Sequence, residues 1–255
     1  MDLKYRLIEV TPENIKDHPQ AICFIKRENA QCSKKVEWYS EHYKEGVRIK
    51  LLYTGDMAKS IGFVEYIPGE FCWRPIEAEG YMFIHCIWTY GKQNQNHGLG
   101  SLLIKEVEKE ASGMNGVAVV TSDKSFMCKK EIFLKNGYKT ISESGSEQLL
   151  VKQFRKGALP SFKVDTSEAV RYNDLTMIYS GQCPWVTRFI EEVKPVLKKE
   201  KLDPDIIELK TASRAQKSPS AYGVFNLVYK GKVLADRYIS TTRFSNIIRK
   251  DVKGK

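Results

Sequence analysis

The sequence predicts a two-domain α/β protein with mixed α+β sheets. Segments with strand and helix periodicity alternate along the 255 residues. The apolar run YMFIHCIWTY has the length and aromatic content of a central strand buried on both faces. The pattern is interrupted after Gly157, where Pro160 and mixed polar residues follow. We therefore predict domains at 1–157 and 173–255, joined by a linker at 158–172.

The first domain is predicted to begin with a strand, a helix and a hairpin. Thr11 and Pro12 have the residue types of a helix N-cap and first helical position. Gly46 is placed to end an amphipathic helix. The segments are, in order, the strand KYRLIEV, the helix KKVEWYSEHYKEG and the antiparallel pair VRIKLLYT and SIGFVEYIPG.

The same domain continues with a buried strand, a glycine-containing loop and a helix. The helix has Leu99, Leu103 and Val107 near one face. The remaining segments are the buried strand GVAVVTS, the helix KKEIFLKNG and the hairpin YKTISES with EQLLVKQF.

The second domain repeats the strand–helix–strand pattern and then adds a hairpin and a helix. We expect the hairpin to turn at Lys230 and Gly231, a kink at Pro195, and Thr241 as the last N-cap. The segments are LTMIYSG, PWVTRFIEEVKPVLKKEKL, DIIELKT, GVFNLVYKGKVLADRYIS and TTRFSNIIRK.

Composition restricts the classes of function. The charge is 41 − 31 = +10, which attracts anions such as a phosphate-rich cofactor. The basic residues are scattered, which favours a solvated surface over a nucleic-acid interface. No apolar run approaches the roughly 20 residues of a membrane span, and the N-terminus lacks a signal-peptide core. Six cysteines without C-x-x-C or zinc spacing predict no metal site and a cytoplasmic protein without a membrane partner.

The loop QNHGLG, residues 95–100, has the features of an anion cradle. Gly98 and Gly100 lack Cβ atoms, so a ligand can approach the backbone. The first N–H groups of the following helix have no helical partner and carry the positive end of its dipole. The alternative is a turn that uses glycine only for its geometry. The P-loop pattern is missing, and Leu103 occupies the position of the third glycine in a dinucleotide fingerprint.

Two motifs in order resemble the GNAT superfamily of acetyl-CoA-dependent N-acetyltransferases. QNHGLG matches its Q/R-x-x-G-x-G/A signature between a strand and a helix. KKEIFLKNGYKTI resembles the second motif of that family, and VAVVTSDKS lies where the intervening strand is expected. The resemblance covers residues 3–154. It implies a GNAT fold, acetyl-CoA as co-substrate and a primary amine of a small molecule or peptide as acceptor.

The resemblance also implies how coenzyme A is bound. The backbone amides of the signature would hold the diphosphate. The end of the preceding strand would pair with the pantetheine arm, because such strands part from their neighbour and leave backbone groups free. The implied cofactor-binding residues are Ile87, Trp88, Thr89, Gln95, Asn96, His97, Gly98, Leu99 and Gly100.

The reaction needs a neutral amine, so a group must accept its proton. Glu65, Glu77 and Glu79 are candidates, and for each an ordinary surface position is the alternative. His85 is interpreted as a core histidine and His97 as a diphosphate contact.

The tyrosine that often serves this family as general acid is replaced by Phe133, counting back from Gly137. Cys128 and Tyr138 remain as candidate acids, and attack without a dedicated acid is the alternative. Glu79, Glu65 and Cys128 are the predicted catalytic residues.

The second domain resembles a thioredoxin-like fold. A strand, a short turn, Cys183 and a helix are followed by a hairpin with Pro219 ahead of it. A helix N-terminus lowers the pKa of a nearby thiol, so Cys183 is a candidate reactive residue. Val186 replaces the second cysteine of a dithiol motif, which leaves a monothiol role or an inert cysteine. Together the two halves resemble the YoaP-type acetyltransferases.

The sequence therefore predicts an N-acetyltransferase with a thioredoxin-like accessory domain. The alternative is a non-catalytic adaptor that binds coenzyme A or senses thiols or metals through Cys183. The oligomeric state, including a homodimer, stays open.

Overall fold

The computed structural model describes residues 5–18, 23, 30–55, 60–94, 97–124 and 127–254. The chain forms two compact units. The first comprises Met1–Glu28, Tyr39–Cys72 and Ile76–Phe162, and the second comprises Asn29–Trp38, Trp73–Pro75 and Lys163–Lys255. The mixed α/β class is confirmed, while the domain limits drawn from the sequence stay a prediction.

The elements up to Gln153 are β1 (Arg6–Val10), α1 (Ala30–His42), β2 (Arg48–Tyr53), β3 (Ser60–Pro68), β4 (Ile76–Glu77), β5 (Tyr81–Thr89), α2 (Leu99–Glu110), β6 (Gly116–Ser122), α3 (Lys130–Lys135), β7 (Lys139–Ser144) and β8 (Glu147–Gln153). All of them belong to the first unit except the part of α1 up to Trp38, which belongs to the second. The first unit contains a seven-stranded sheet in the order β1-β2-β3-β5-β6-β8-β7. Its neighbouring strands are antiparallel except for β5 and β6, which are parallel.

Strands β5 and β6 pair over only part of their lengths. Tyr81 to Ile84 are in register with Gly116 to Val119, and no pairing follows although both strands continue. On its other edge β5 pairs with β3 up to Thr89, with an irregularity at His85, which has no partner between Ile84 and Cys86. The two strands therefore part at a bulge, which bends β5 locally.

The apolar face of α2 packs on the sheet as the sequence predicts. Leu99, Leu103, Ile104 and Val107 are buried in one cluster with the side chains of the central strands. Phe133 of α3 belongs to the same cluster. This packing fixes the start of α2 next to the end of β5.

The first unit also contains β9 (Ser161–Phe162), which pairs with β4. The elements of the second unit after Lys163 are β10 (Thr176–Ser180), α4 (Pro184–Glu200), β11 (Asp205–Leu209), α5 (Ala212–Ala215), β12 (Phe225–Tyr229), β13 (Lys232–Ala235) and α6 (Thr241–Ile247). Its four strands form a sheet in the order β11-β10-β12-β13. β10 is parallel to β11 and antiparallel to β12, and β12 and β13 form a hairpin that turns at Lys230 and Gly231, both with positive φ.

Two predicted helix starts are wrong. Thr11 and Asn14 cap each other's backbone N–H groups in a turn, and the described residues that follow directly form the short 3₁₀ segment Ile15–Asp17. At α6 the N-cap is Ser240, whose hydroxyl accepts from Arg243 N–H, and Thr241 is already helical. Helix α4 is continuous through Pro195.

Among the described residues, no helix combines the length and apolar character needed to cross a membrane.

Candidate active site

The glycine turn places the N-terminus of α2 in an open position. Gly98 is the N-cap of α2 in the left-handed region, with φ +75°, and both His97 and Gly98 are exposed. A Cβ at Gly98 would meet no atom of the described residues within 4 Å. Glycine is thus required by the backbone while the space beside it is free. The predicted ligands Gln95 and Asn96 lie outside the described residues.

The first amides of α2 are suited to an anion. The first capping bond runs from Leu102 N–H to Gly98 O at 3.0 Å, so the amides before Leu102 precede the helical ladder. No side chain of the described residues caps this N-terminus. The twelve-residue helix directs the positive end of its dipole to the same place.

Leu99 and Gly100 can contribute only backbone groups to this cradle. The Leu99 side chain is buried in the core cluster. A Cβ at Gly100 would overlap with Ile132 Cδ1 of α3. Gly100 therefore allows α2 and α3 to pack closely. For this glycine, the structure favours the alternative in which glycine is needed for geometry rather than for a ligand.

Beyond the bulge, β5 has one edge that no strand of the described residues covers. Ile87, Trp88 and Thr89 pair with β3 on the opposite edge. The Ile87 side chain is buried in the core, and Trp88 is 39% exposed. Backbone groups alternate between the two edges of a strand, and those of this segment that face away from β3 meet no strand of the described residues, so an extended ligand can pair there.

Glu65 and His85 form a buried pair where the strands part. Glu65 Oε1 lies 3.2 Å from His85 Nδ1, and the two side chains are 1% and 0% exposed. The Phe83 ring packs edge-on against His85 at 5.6 Å. The alternative of a surface position for Glu65 is wrong, whereas the interpretation of His85 as a core histidine with a partner is confirmed.

The other two carboxylate candidates are exposed. Glu77 is on β4, opposite Ser161 of β9. Glu79 precedes β5, so the length of the strand, roughly 30 Å for nine residues, separates it from the glycine turn. The structure therefore does not bring Glu79 together with the other predicted site residues.

The candidate acids differ in position. Cys128 is half-buried, and its thiol donates to Val120 O at 3.7 Å, in the part of β6 beyond its pairing with β5. Tyr138 is buried in the core, edge-on to Phe133 at 5.3 Å. Burial, reinforced by the Glu108 carboxylate, raises the pKa of Tyr138 well above its usual range. Tyr138 therefore stays neutral and faces the core, and Cys128 is the candidate beside the parted strands.

Cys183 is the N-cap of α4, and Pro184 is the first helical residue. The thiol is half-buried and accepts from the Tyr222 hydroxyl at 3.5 Å. No group of three or more His, Cys, Asp or Glu among the described residues is placed to hold a metal ion. The local geometry is that of a single thiol at a helix start.

The chain resembles an acetyltransferase along most of its length. No protein-family model matches it. It is 26% identical over 248 residues to Uncharacterized N-acetyltransferase YoaP of Bacillus subtilis (strain 168), a match that covers 94% of this chain and 97% of that protein. The name of this relative agrees with the enzyme class that the sequence predicts.

Solved structures of lower similarity match a smaller part. An acetyltransferase of the GNAT family from Staphylococcus aureus Mu50 has a TM-score of 0.44 and 13% identity, and covers 60% of this chain and 100% of its own. The PaiA N-acetyltransferase from Thermoplasma acidophilum, in complex with coenzyme A, has a TM-score of 0.42 and 12% identity, with the same two coverages.

Proposed function

We propose that the chain is an acetyl-CoA-dependent N-acetyltransferase of the GNAT type, which acetylates a primary amine of a small molecule or peptide. The observation that carries the proposal is the parting of β5 from β6 after Ile84 and Val119. The parted end of β5 is followed along the chain by the 3₁₀ segment Lys92–Asn94 and then by Gly98 at the N-terminus of α2. An extended ligand with a diphosphate at one end fits this sequence of backbone donors.

In this proposal the backbone binds the co-substrate. The amides at His97, Gly98, Leu99 and Gly100 hold the diphosphate, together with Gln95 and Asn96 of the signature. The edge of β5 at Ile87, Trp88 and Thr89 that faces away from β3 pairs with the pantetheine amides. Support comes from the open space at Gly98 and from the absence of a covering strand over the described part of that edge.

The acceptor amine attacks the thioester carbonyl, forming the C–N bond, and the C–S bond then breaks. Glu65, held by His85, accepts the proton that the amine loses. A backbone N–H on the free edge of β5 stabilises the negative charge that develops on the carbonyl oxygen. Cys128 is proposed to protonate the departing thiolate, in place of the tyrosine that Phe133 replaces.

We infer that the second unit is a thioredoxin-like accessory domain. The inference is supported by the sheet order β11-β10-β12-β13, by the parallel β10–α4–β11 connection, and by Cys183 at the start of α4. Its thiol can be tested by comparing alkylation rates of the full chain at pH 6 and pH 8.5 with those of a Cys183→Ser variant. A rate profile identical to that of free cysteine would count against a reactive role.

The activity is tested by release of free coenzyme A from acetyl-CoA with a panel of primary amines, after calorimetric titration with acetyl-CoA. Binding together with amine-dependent release is expected. No binding at about a few hundred micromolar, the range of weak cofactor affinities, would exclude the proposal. Binding without turnover would favour the non-catalytic adaptor instead.

A further inference from the structure

A cavity in the second unit, which we call the Ser218 cavity, lies apart from Cys183 and from the residues assigned above. It has a volume of about 260 Å³. Its lining comes from the 3₁₀ segment Thr166–Arg171 with Tyr172, from β10 and the end of β11, and from α5 with the residues that follow it. The size suits a small metabolite, just below the roughly 300 Å³ of ordinary ligand pockets.

The cavity is on the face of the second sheet opposite α4. Phe225 of β12 packs edge-on against Phe189 of α4 at 5.3 Å, so its neighbour Asn226 points to the other face. Asn226 is directly opposite Ile178 on β10, and cross-strand partners share a face. Ile178 lines the cavity. The floor is therefore part of the sheet rather than a surface groove.

The covering segments are fixed by backbone hydrogen bonds. Tyr172 O accepts from Gly231 N–H, and Asn173 O accepts from Lys230 N–H, each at 3.0 Å. On the other side, Ser218 N–H donates to Ala215 O at 3.1 Å. The cavity is thus a built feature of the fold, with apolar walls at Ile178, Leu209 and Pro219.

Ser218 supplies an oriented donor in this apolar wall. It is 4% exposed, and its Oγ accepts from Asn226 Nδ2 at 2.8 Å and from Ser220 N–H at 3.4 Å. Both lone pairs are therefore engaged, and the hydroxyl hydrogen remains for a ligand acceptor. Asn226 is fully buried, and its Oδ1 has no hydrogen-bond partner among the described residues. Buried polar atoms of this kind are usually satisfied, which marks the sheet face beside Ser218 as polar within otherwise apolar walls.

The mouth of the cavity is positively charged. Arg171 pairs with Glu168 at 3.1 Å, but no acidic side chain in the described part of the chain pairs with Arg214 or Lys217. Both of these side chains are exposed and border the cavity. An anionic group at the mouth would meet two uncompensated cations, and the rest of the molecule would meet apolar walls.

We propose that the Ser218 cavity binds a small organic anion, a carboxylate or a phosphate monoester carrying a compact apolar group. The anion contacts Arg214 and Lys217 and accepts a hydrogen bond from Ser218. The apolar group lies against Ile178, Leu209 and Pro219.

The test is calorimetric titration of the full chain, without acetyl-CoA, with phenyl phosphate, phenylacetate and the neutral benzyl alcohol. At least one anion should bind, and the stronger one identifies the acid group. The double variant Arg214→Gln/Lys217→Gln should weaken binding at least about tenfold, as expected for lost charge-assisted hydrogen bonds. Ser218→Ala should weaken it about fivefold.

The matched control is Arg243→Gln/Lys250→Gln, which removes the same charge from exposed positions on and after α6. This control should bind like the parent chain. Equal binding of benzyl alcohol, equal losses in the two double variants, or no anion binding at about 10 mM would overturn the proposal. The proposal would also be overturned if coenzyme A displaced the anion and the Arg214→Gln/Lys217→Gln variant bound the anion as well as the parent chain does. That result would place the anion at the N-terminus of α2. A chain that binds the anion but not acetyl-CoA would remove the proposed enzymatic function and leave this site intact.

Discussion

At the scale of single residues, the Glu65–His85 pair is the strongest departure from an ordinary sheet. A carboxyl group in the core is costly unless a partner satisfies it, and His85 is such a partner for Glu65. The bulge places His85 where β5 leaves β6. The pair therefore lies at the start of the β5 edge where the proposed acetyl-CoA would bind.

Glu65→Gln should lower kcat by about 10² to 10⁴, because the shape and the contact with His85 are kept while the proton acceptor is lost. Coenzyme A release measures the rate, and acetyl-CoA titration checks that cofactor binding is unchanged. Glu79→Gln is the matched control, and we expect parental kcat because Glu79 is exposed at the far end of β5. A loss confined to Glu79→Gln would transfer the base to that residue and contradict the present assignment.

Gly98→Ala should weaken acetyl-CoA binding much more than it weakens the fold. The added Cβ has no atom of the described part of the chain within 4 Å, and it would collide with a ligand bound at the cradle. Gly145→Ala is the control, because Gly145 also has positive φ, +61°, and open surroundings in the β7–β8 turn. Both variants should lose about 1 kcal/mol of stability from left-handed backbone strain. Equal dissociation constants for acetyl-CoA in the two variants would argue against a diphosphate at Gly98.

At the scale of elements, a charged network attaches α2 to the sheet. Lys50 of β2 donates to Glu106 at 2.8 Å and pairs with Glu110, which also accepts from the Tyr66 hydroxyl at 2.6 Å. Burial lowers the pKa of Lys50, but the hydrogen bonds with Glu106 and Glu110 outweigh it and raise the pKa above its ordinary value. The charged form of Lys50 is therefore favoured in the folded state.

Lys50→Met should destabilise the protein by about 2–3 kcal/mol, somewhat less than for a fully buried pair because the carboxylates are partly exposed. The more exposed Lys152–Glu108 pair is the control, and Lys152→Met should cost under about 1 kcal/mol. The stabilisation by Lys50 is complete below its unfolded pKa of about 10.4 and is lost as the pH rises through the higher folded value. Urea unfolding at pH 7 and pH 11 measures the free energy of unfolding of the parent chain and of each variant. A difference between the parent chain and Lys50→Met that is equal at the two pH values would contradict the network.

Elements with a strong local signal were predictable, and those set by tertiary contacts were not. Strand β6 matches its predicted segment, and α2 begins one residue after the glycine that the sequence marks. Ser240 and Thr241 are equally good N-caps by type, so the sequence alone could not separate them. The two-residue strands β4 and β9 exist only through their mutual pairing. The local sequence pattern cannot predict this pairing, because the two strands are far apart in the sequence.

At the scale of the whole molecule, the sequence located one side of the candidate site and missed the other. The glycine signature predicts the cradle because its residues are consecutive. The Glu65–His85 contact joins two strands, and the parting of β5 from β6 depends on non-local register. Glu65 is a candidate base in the sequence. Its burial and its partner could not be predicted, because the bulge in β5 interrupts the alternation of side chains between the two faces of the sheet. The Ser218 cavity has no sequence motif because four separated segments build it.

The proposed binding mode also predicts where coenzyme A slows backbone hydrogen exchange in the chain. A ligand that binds only the folded form stabilises it by about 2.7 kcal/mol at 100 times its dissociation constant. Hydrogen exchange followed by mass spectrometry should therefore slow in peptides covering 85–89 and 97–102, where free backbone groups would be bound. The β7–β8 hairpin, residues 139–153, belongs to the same sheet and provides the internal control. Direct contact with coenzyme A should slow exchange at 85–89 and 97–102 more than in the β7–β8 hairpin. Equal slowing in these peptides and in the hairpin would instead indicate global stabilisation and would contradict a ligand bound along the parted edge of β5.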